Sequence, residues 1–201
     1  MKILWFDTET TGLDPNRHGM IQIAMLMDID GEVVDETQIN YKPHQSDLID
    51  FGENKIPKVW RECDLGDNAV LPATGITIQS LWGYKHPDTV SINAFLQKHI
   101  SKFDKADKAY IGGYNVPFDI AFLSKFYEKC KDNYLGSYIN WKQIDVRSIL
   151  YLLDYKGTVK LDNYKLSTIC EYYGIELEAH NPMSDIKATR DIFYKLIGGE
   201  I

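Results

Sequence analysis

Lys2-Ile3-Leu4-Trp5-Phe6-Asp7-Thr8-Glu9-Thr10-Thr11-Gly12-Leu13-Asp14-Pro15 begins as an apolar run, stops on acids and ends in turn residues. Lys2–Phe6 predicts a buried strand, and Thr10 through Pro15 predict the turn that breaks it. Strand side chains alternate faces, so Asp7 and Glu9 share one face at the strand's end. No lysine or arginine follows until Arg17, and buried unpaired carboxylates are rare and costly. Asp30-Gly31-Glu32 has the same spacing but lies in a polar turn, where solvation explains both acids.

Outward from this stretch, Met20–Met27 and Glu32–Tyr41 are strand-like, and Asp30-Gly31 between them is a hairpin signal. The chain therefore opens with three strands in antiparallel order. Residues 43–77 carry scattered glycine, proline and asparagine and predict irregular structure. Helical spacing of Val90, Phe95, Leu96 and Ile100 predicts a helix over about 89–103. Ala109–Gly113 predicts a second buried strand. Pro117 suits the first turn of a helix that runs to about Lys129, with Phe118, Phe122 and Phe126 on one stripe. A short strand near Trp141–Ile144 precedes helices over Asp145–Tyr155 and Leu166–Tyr173. Asn181 as N-cap and Pro182 as first residue predict a last helix that ends near Ile197. Strands and helices that alternate after a meander predict a mixed α/β sheet.

The 201 residues fit one domain, expected to span residues 1–201. Hydrophobic residues at 44% and charged residues at 25% are ordinary for a globular chain. No signal-peptide core or membrane-length apolar run is present, so no membrane partner is expected. Cys63, Cys130 and Cys170 lack paired spacing and read as reduced thiols of a cytoplasmic protein. A net charge of −7 argues against a broad basic surface for nucleic acid, though a small acidic site that binds cations could still hold a strand end.

Two further acids stand at helix starts. Asp119 ends Asn115-Val116-Pro117-Phe118-Asp119; the helix dipole alone explains a carboxylate there, and Asn115 can simply turn the chain. Asp185 ends His180-Asn181-Pro182-Met183-Ser184-Asp185 and shares a face with Ala188, Ile192 and Leu196, which places it at the buried end of an apolar stripe. His180 differs from His18, His44, His86 and His99, read as surface or structural, by standing just before that helix. Two carboxylates about 4 Å apart repel by about 4 kcal/mol at an effective dielectric near 20. Several such pairs would consume most of the roughly 5–15 kcal/mol that holds a domain folded. If the acids meet, they must protonate, pair with bases or bind metal, and an all-oxygen ligand set suits magnesium or manganese.

Taken together, Phe6–Leu13, Tyr114–Asp119 and His180–Asp185 resemble the three motifs of the DEDDh group of 3′–5′ exonucleases. Thr74-Gly75-Ile76-Thr77, Ile144-Asp145-Val146 and Leu166-Ser167-Thr168-Ile169 fall where that group has further segments, so the resemblance covers nearly the whole chain. Pro182 replaces the usual alanine, and Ile186 a residue that is often small. The resemblance implies a ribonuclease H-like fold with a central five-stranded mixed sheet flanked by helices. It implies two Mg2+ or Mn2+ ions, with Asp7 bridging both, Glu9 and Asp185 completing one site, Asp119 serving the other, and His180 as base. It implies that Thr8, Thr10, Thr11, Gly12, Leu13, Ile76, Asn115 and Phe118 contact substrate. The expected activity is release of nucleoside 5′-monophosphates from the 3′ end of a single strand, of DNA repair or proofreading type. The alternatives are an oligoribonuclease or RNA-trimming enzyme, and a catalytically silent module that binds nucleic-acid ends. With no long tail after the last helix, no polymerase partner is indicated. Tyr134, Tyr138 and Trp141 beside Lys131 and Lys142, and Trp82 and Tyr84 beside Lys85, could stack bases, but core packing with surface lysines is the favoured account.

Overall fold

A computed structural model describes residues 1–49, 58–59, 74, 76–178 and 181–198. Its elements in order are β1 (Lys2–Thr10), β2 (Met20–Ile29), β3 (Glu32–Asn40), the short pair β4 (Leu48–Ile49) and β5 (Lys58–Val59), α1 (Ile78–Trp82), α2 (Val90–His99), β6 (Ala109–Gly113), α3 (Val116–Lys129), β7 (Ile139–Asp145), α4 (Val146–Tyr155), α5 (Leu166–Tyr173) and α6 (Pro182–Leu196). Five strands form one mixed sheet in the order β3-β2-β1-β6-β7. β1 pairs antiparallel with β2 and parallel with β6. The expected mixed sheet flanked by helices is therefore the observed architecture. Cys63 and most of the stretch predicted to be irregular lie outside the described residues.

Alternation along β1 builds two cores. Leu4 and Phe6 point to the side that α2 and α3 cover, with Ile92, Phe95, Leu96, Phe122 and Phe126. Ile3 and Trp5 point to the other side, toward Val146, Leu150, Ile169, Ile186 and Ile192 of α4, α5 and α6. Burying each such large apolar side chain stabilises the fold by about 1.5–3 kcal/mol. Asp7 and Glu9 continue the Ile3–Trp5 face, so the sheet's own period carries them toward α6.

The structure departs from the sequence expectations chiefly where residues distant in the chain meet. β1 does not stop at Phe6 but runs through Asp7 and Glu9 to Thr10, because β2 keeps pairing with it as far as Thr10↔Met20. Asp30 and Gly31 adopt φ of 54° and 93°, the positive values that a tight two-residue hairpin turn requires. The helix expected over about 89–103 covers only Val90–His99, and Ile100 is already extended. Beyond it the Ser101 N–H donates to Asp107 Oδ2 at 2.9 Å, and Lys2 Nζ holds Asp107 Oδ1 at 2.5 Å. Those bonds draw the chain back toward β1.

α6 is fixed at its start and along its length. Asn181 accepts from the N–H groups of Met183 and Ser184, as predicted of an N-cap. Further on, Arg190 Nε donates to Asp28 Oδ2 at 2.8 Å, and Tyr194 Oη donates to the same oxygen at 3.0 Å. Asp28 is fully buried. Arg190→Ala would leave that carboxylate without its cation, and we expect a loss of about 3–5 kcal/mol of stability in denaturant melts. A loss under about 1 kcal/mol would show that the ion pair does not anchor the helix.

Candidate active site

β6 stops pairing with β1 at Trp5↔Gly112, yet β1 continues to Thr10. The extra length leaves Asp7, Thr8 and Glu9 beyond the end of the neighbouring strand. After Gly113 the chain turns at Asn115, which holds φ of 62°, and enters α3. Asp145 at the end of β7 steadies this turn by accepting from the Asn115 N–H at 2.8 Å. Asn115 therefore turns the chain, with no capping bond from its own side chain. Gly113 packs tightly beside it: a Cβ would come 3.2 Å from the Phe6 carbonyl oxygen and 3.0 Å from Val116.

This turn sets the first coil of α3 against the extension of β1. Asp119, only 4% exposed, accepts from the Thr8 N–H at 3.0 Å and from Thr8 Oγ1 at 2.7 Å, both on Oδ1. The helix dipole was a sufficient account of Asp119 in the sequence; in the structure it is also bonded to the strand that carries Asp7 and Glu9. Thr8, expected to touch substrate, holds Asp119 through its backbone and its hydroxyl. Asp185 in the first turn of α6 comes close enough to bear on the charges of Asp7 and Glu9.

Electrostatics show the convergence most clearly. The Asp7 carboxyl is pushed well above the usual carboxylate range by burial first, then by Asp119, Glu9 and Asp185. Glu9 is pushed up to about 8, by burial, then Asp185 and Asp119. Asp119 is raised chiefly by burial, against which the two Thr8 hydrogen bonds pull downward. Among the described residues, no ion pair involves Asp7, Glu9 or Asp119. The sign of the charge and the oxygen-only donor set fit hard divalent cations. Among the described residues, no three acidic, histidine or cysteine side chains close on one ion position.

In EDTA, the folded chain holds protons on Glu9 that the unfolded chain releases near its ordinary value of 4.5. Its contribution is thus complete at low pH and is lost as pH rises through about 8. Melting temperature should fall between about pH 5.5 and 8.5, the fall should shrink in Glu9→Gln, and manganese should restore stability most at the higher pH. A Glu9→Gln melt with the same pH slope would remove Glu9 as its source. Thr8→Val should cost about 1–3 kcal/mol of stability and about 10–100-fold in divalent-ion affinity, because Asp119 loses the hydroxyl that aims it. Unchanged calorimetric affinity would show that Thr8 does not orient a ligand.

The other expected contact residues are placed as follows. The Thr10–Gly19 loop is closed by Thr11 N–H to the Gly19 carbonyl and Gly19 N–H to Thr11 Oγ1, both 2.9 Å. Thr10 Oγ1 donates to the Gly12 carbonyl at 2.7 Å. Leu13 is 79% exposed at the loop's outer side. Phe118 is half-buried and packs on Phe122 with ring centres 4.8 Å apart. Ile76 is half-buried ahead of α1, its N–H donating to Thr74 Oγ1 at 3.2 Å. His180 lies outside the described residues. Sequence reasoning missed the parts played by His18 and Asp145. His18 is buried, and its ring occupies the space a side chain at Gly12 would need. The pairing of Gly12 with a histidine six residues on was the one available signal. Asp145 offered only its place where a strand gives way to a helix.

No protein-family model matches the chain. It is similar to the PolC-type DNA polymerase III of Halalkalibacterium halodurans, 26% identical over 195 residues, covering 96% of this chain and 11% of that protein. It is also similar to the PolC-type DNA polymerase III of Lacticaseibacillus paracasei, 28% identical over 192 residues, or 95% of this chain and 11% of that protein. The chain thus spans about a tenth of the length of these curated relatives. Among solved structures, E. coli exonuclease I with single-stranded DNA and a zinc ion superimposes with a TM-score of 0.72 at 22% identity, over 98% of this chain and 40% of that one. Exonuclease I of Methylocaldum szegediense gives 0.69 at 18% identity, over 98% and 40%. The five-stranded mixed sheet with its flanking helices is the ribonuclease H-like fold of these neighbours.

Proposed function

We propose, from the chain's place in the DEDDh (DnaQ-like) 3′–5′ exonuclease family of the ribonuclease H-like superfamily, that it hydrolyses the terminal phosphodiester at the 3′ end of single-stranded nucleic acid, with nucleoside 5′-monophosphate as product. The observation that carries this reading is the meeting of Asp7, Glu9 and Asp119, each holding its proton more tightly than usual, with no base paired to any of them among the described residues. The names of the relatives, DNA polymerases and an exonuclease solved with single-stranded DNA, favour DNA.

In this reading Asp7, Glu9, Asp119 and Asp185 hold two magnesium or manganese ions. Bound there, such ions supply charge stabilisation for the attacking and leaving oxygens of an in-line displacement. Asp7 stands centrally, since all three of the others add to its hold on its proton. Thr8 fixes the carboxylate of Asp119, and Asp145 fixes the turn that delivers it. His180 takes the proton from the attacking water; histidine's ordinary value near 6.5 suits that work at neutral pH. Thr10, Thr11, Gly12 and Leu13 border the terminal nucleotide, Ile76 packs on its base, and Asn115 and Phe118 also contact the substrate.

The test is a parallel digestion of 5′-labelled single-stranded DNA, duplex DNA, RNA and dinucleotides with magnesium or manganese. The expected result is a descending ladder, strongest on single-stranded DNA. Preference for dinucleotides or RNA would favour the oligoribonuclease reading. Internal cuts would overturn the direction of attack. Binding of ends without any turnover would favour a silent end-binding module.

A further inference from the structure

The aromatic residues beside β7 divide into two kinds. Tyr138 is fully buried, and its hydroxyl accepts from Gln97 Nε2 at 2.7 Å, so it belongs to the core. Tyr134 and Trp141 are 57% and 53% exposed. Lys102 Nζ lies 4.0 Å from the Tyr134 ring centre. Trp141 lies beside Gly136, whose carbonyl accepts from Lys108 Nζ. Lys142 Nζ stands 6.0 Å from the ring of Tyr110 on the neighbouring strand. The nearby acid Asp132 is turned inward, its Oδ2 taken by Thr89 Oγ1 at 2.6 Å and Asn93 Nδ2 at 2.9 Å. In a chain of net charge −7, this edge presents aromatic faces and lysines.

β7 connects that edge to the candidate active site. Trp141 precedes by four residues Asp145, which holds the Asn115 turn; at about 3.3 Å per residue that is about 13 Å of strand. A groove of about 520 Å³ lies along the way, lined by Pro117, Gln143, Ile144, Asp145, Ser148 and Leu152. The geometry points to a track for the upstream part of the single strand: its bases pass the groove and stack on Trp141 and Tyr134, while Lys102 and Lys142 hold its phosphates. Stacking on aromatics needs unpaired bases, and lysines beside them match a phosphate backbone. The span is roughly four stacked steps of about 3.4 Å, so a dinucleotide ends short of the platform and a longer strand reaches it. This track rests on the exonuclease reading above, which it extends from the reacting end to the rest of the substrate.

The experiment compares the wild-type chain with Trp141→Ala/Tyr134→Ala, Trp141→Phe and Lys102→Gln, using oligo-dT of two and twelve nucleotides. Turnover is measured with magnesium, and binding of the fluorescent twelve-mer by anisotropy in EDTA. The double variant should raise KM for the twelve-mer, and weaken its binding, by about 5–100-fold, with dinucleotide turnover unchanged. Trp141→Phe should keep the wild-type affinity, because a phenyl ring still stacks. Lys102→Gln should lower the slope of affinity against salt by about one. Equal loss on both lengths, or none on either, overturns the track, as does a duplex twelve-mer that competes as well as the single strand. If the wild-type chain shortens neither length, the exonuclease reading fails, and the anisotropy arm still decides the track.

Discussion

Asp7→Asn is expected to slow divalent-dependent shortening of a single strand by about 10³-fold or more without unfolding the chain. The side chain keeps its shape but loses the charge that three other acids press upon. Removing a carboxylate that would hold the divalent ions would forfeit several kcal/mol of transition-state stabilisation, and each 1.36 kcal/mol is about tenfold in rate. The same substitution relieves repulsion in the metal-free protein. Its melting temperature in EDTA at pH 8 should therefore equal or exceed that of the wild type. Loss of activity together with a raised melting temperature separates a site residue from a structural one. Full activity in Asp7→Asn would remove the metal proposal.

The second large effect is expected from His180→Ala. We propose this histidine as the general base, and positioned bases contribute about 10²–10⁴-fold. Its place in the chain supports the role: it directly precedes Asn181, the N-cap of α6, whose first turn carries Asp185. The wild-type rate should climb with pH through the histidine range, near 6.5, as the imidazole becomes neutral. In His180→Ala that rise should vanish while magnesium affinity stays within a fewfold. An unchanged rate and pH profile would rule His180 out as the base.

The frame was largely legible because its signals are local. The Asp30-Gly31 turn, the apolar run Ala109–Gly113, the proline-led helix after Asn115 and the Asn181-Pro182 start of α6 each follow from short-range chemistry. Elements set by contacts between distant residues were not legible in the same way. β1 outlasts its apolar run because β2 continues beside it. α2 ends early because Asp107 gathers Ser101 and Lys2, and nothing in residues 100–107 announces that Lys2 is the partner. The acids could be picked out by their apolar settings and, as a set, by the resemblance of the three motifs to a known family, but not the bonds that aim them. That Thr8 holds Asp119, and that Asp145 holds the Asn115 turn, are facts of tertiary register. Tyr138 and Trp141 stand three residues apart in one aromatic group, yet one is core and the other faces solvent. Only the path of β7 at the sheet edge decides between them.

The central claim is that Asp7, Glu9, Asp119 and Asp185 form one cage for divalent cations. It is tested most directly by anomalous diffraction from crystals grown with manganese and a non-hydrolysable single-stranded oligonucleotide. The account predicts manganese peaks within bonding distance of these four carboxylates, adjoining the 3′-terminal phosphate. Peaks elsewhere, or an oligonucleotide seated away from these residues with no ion between them, would contradict it.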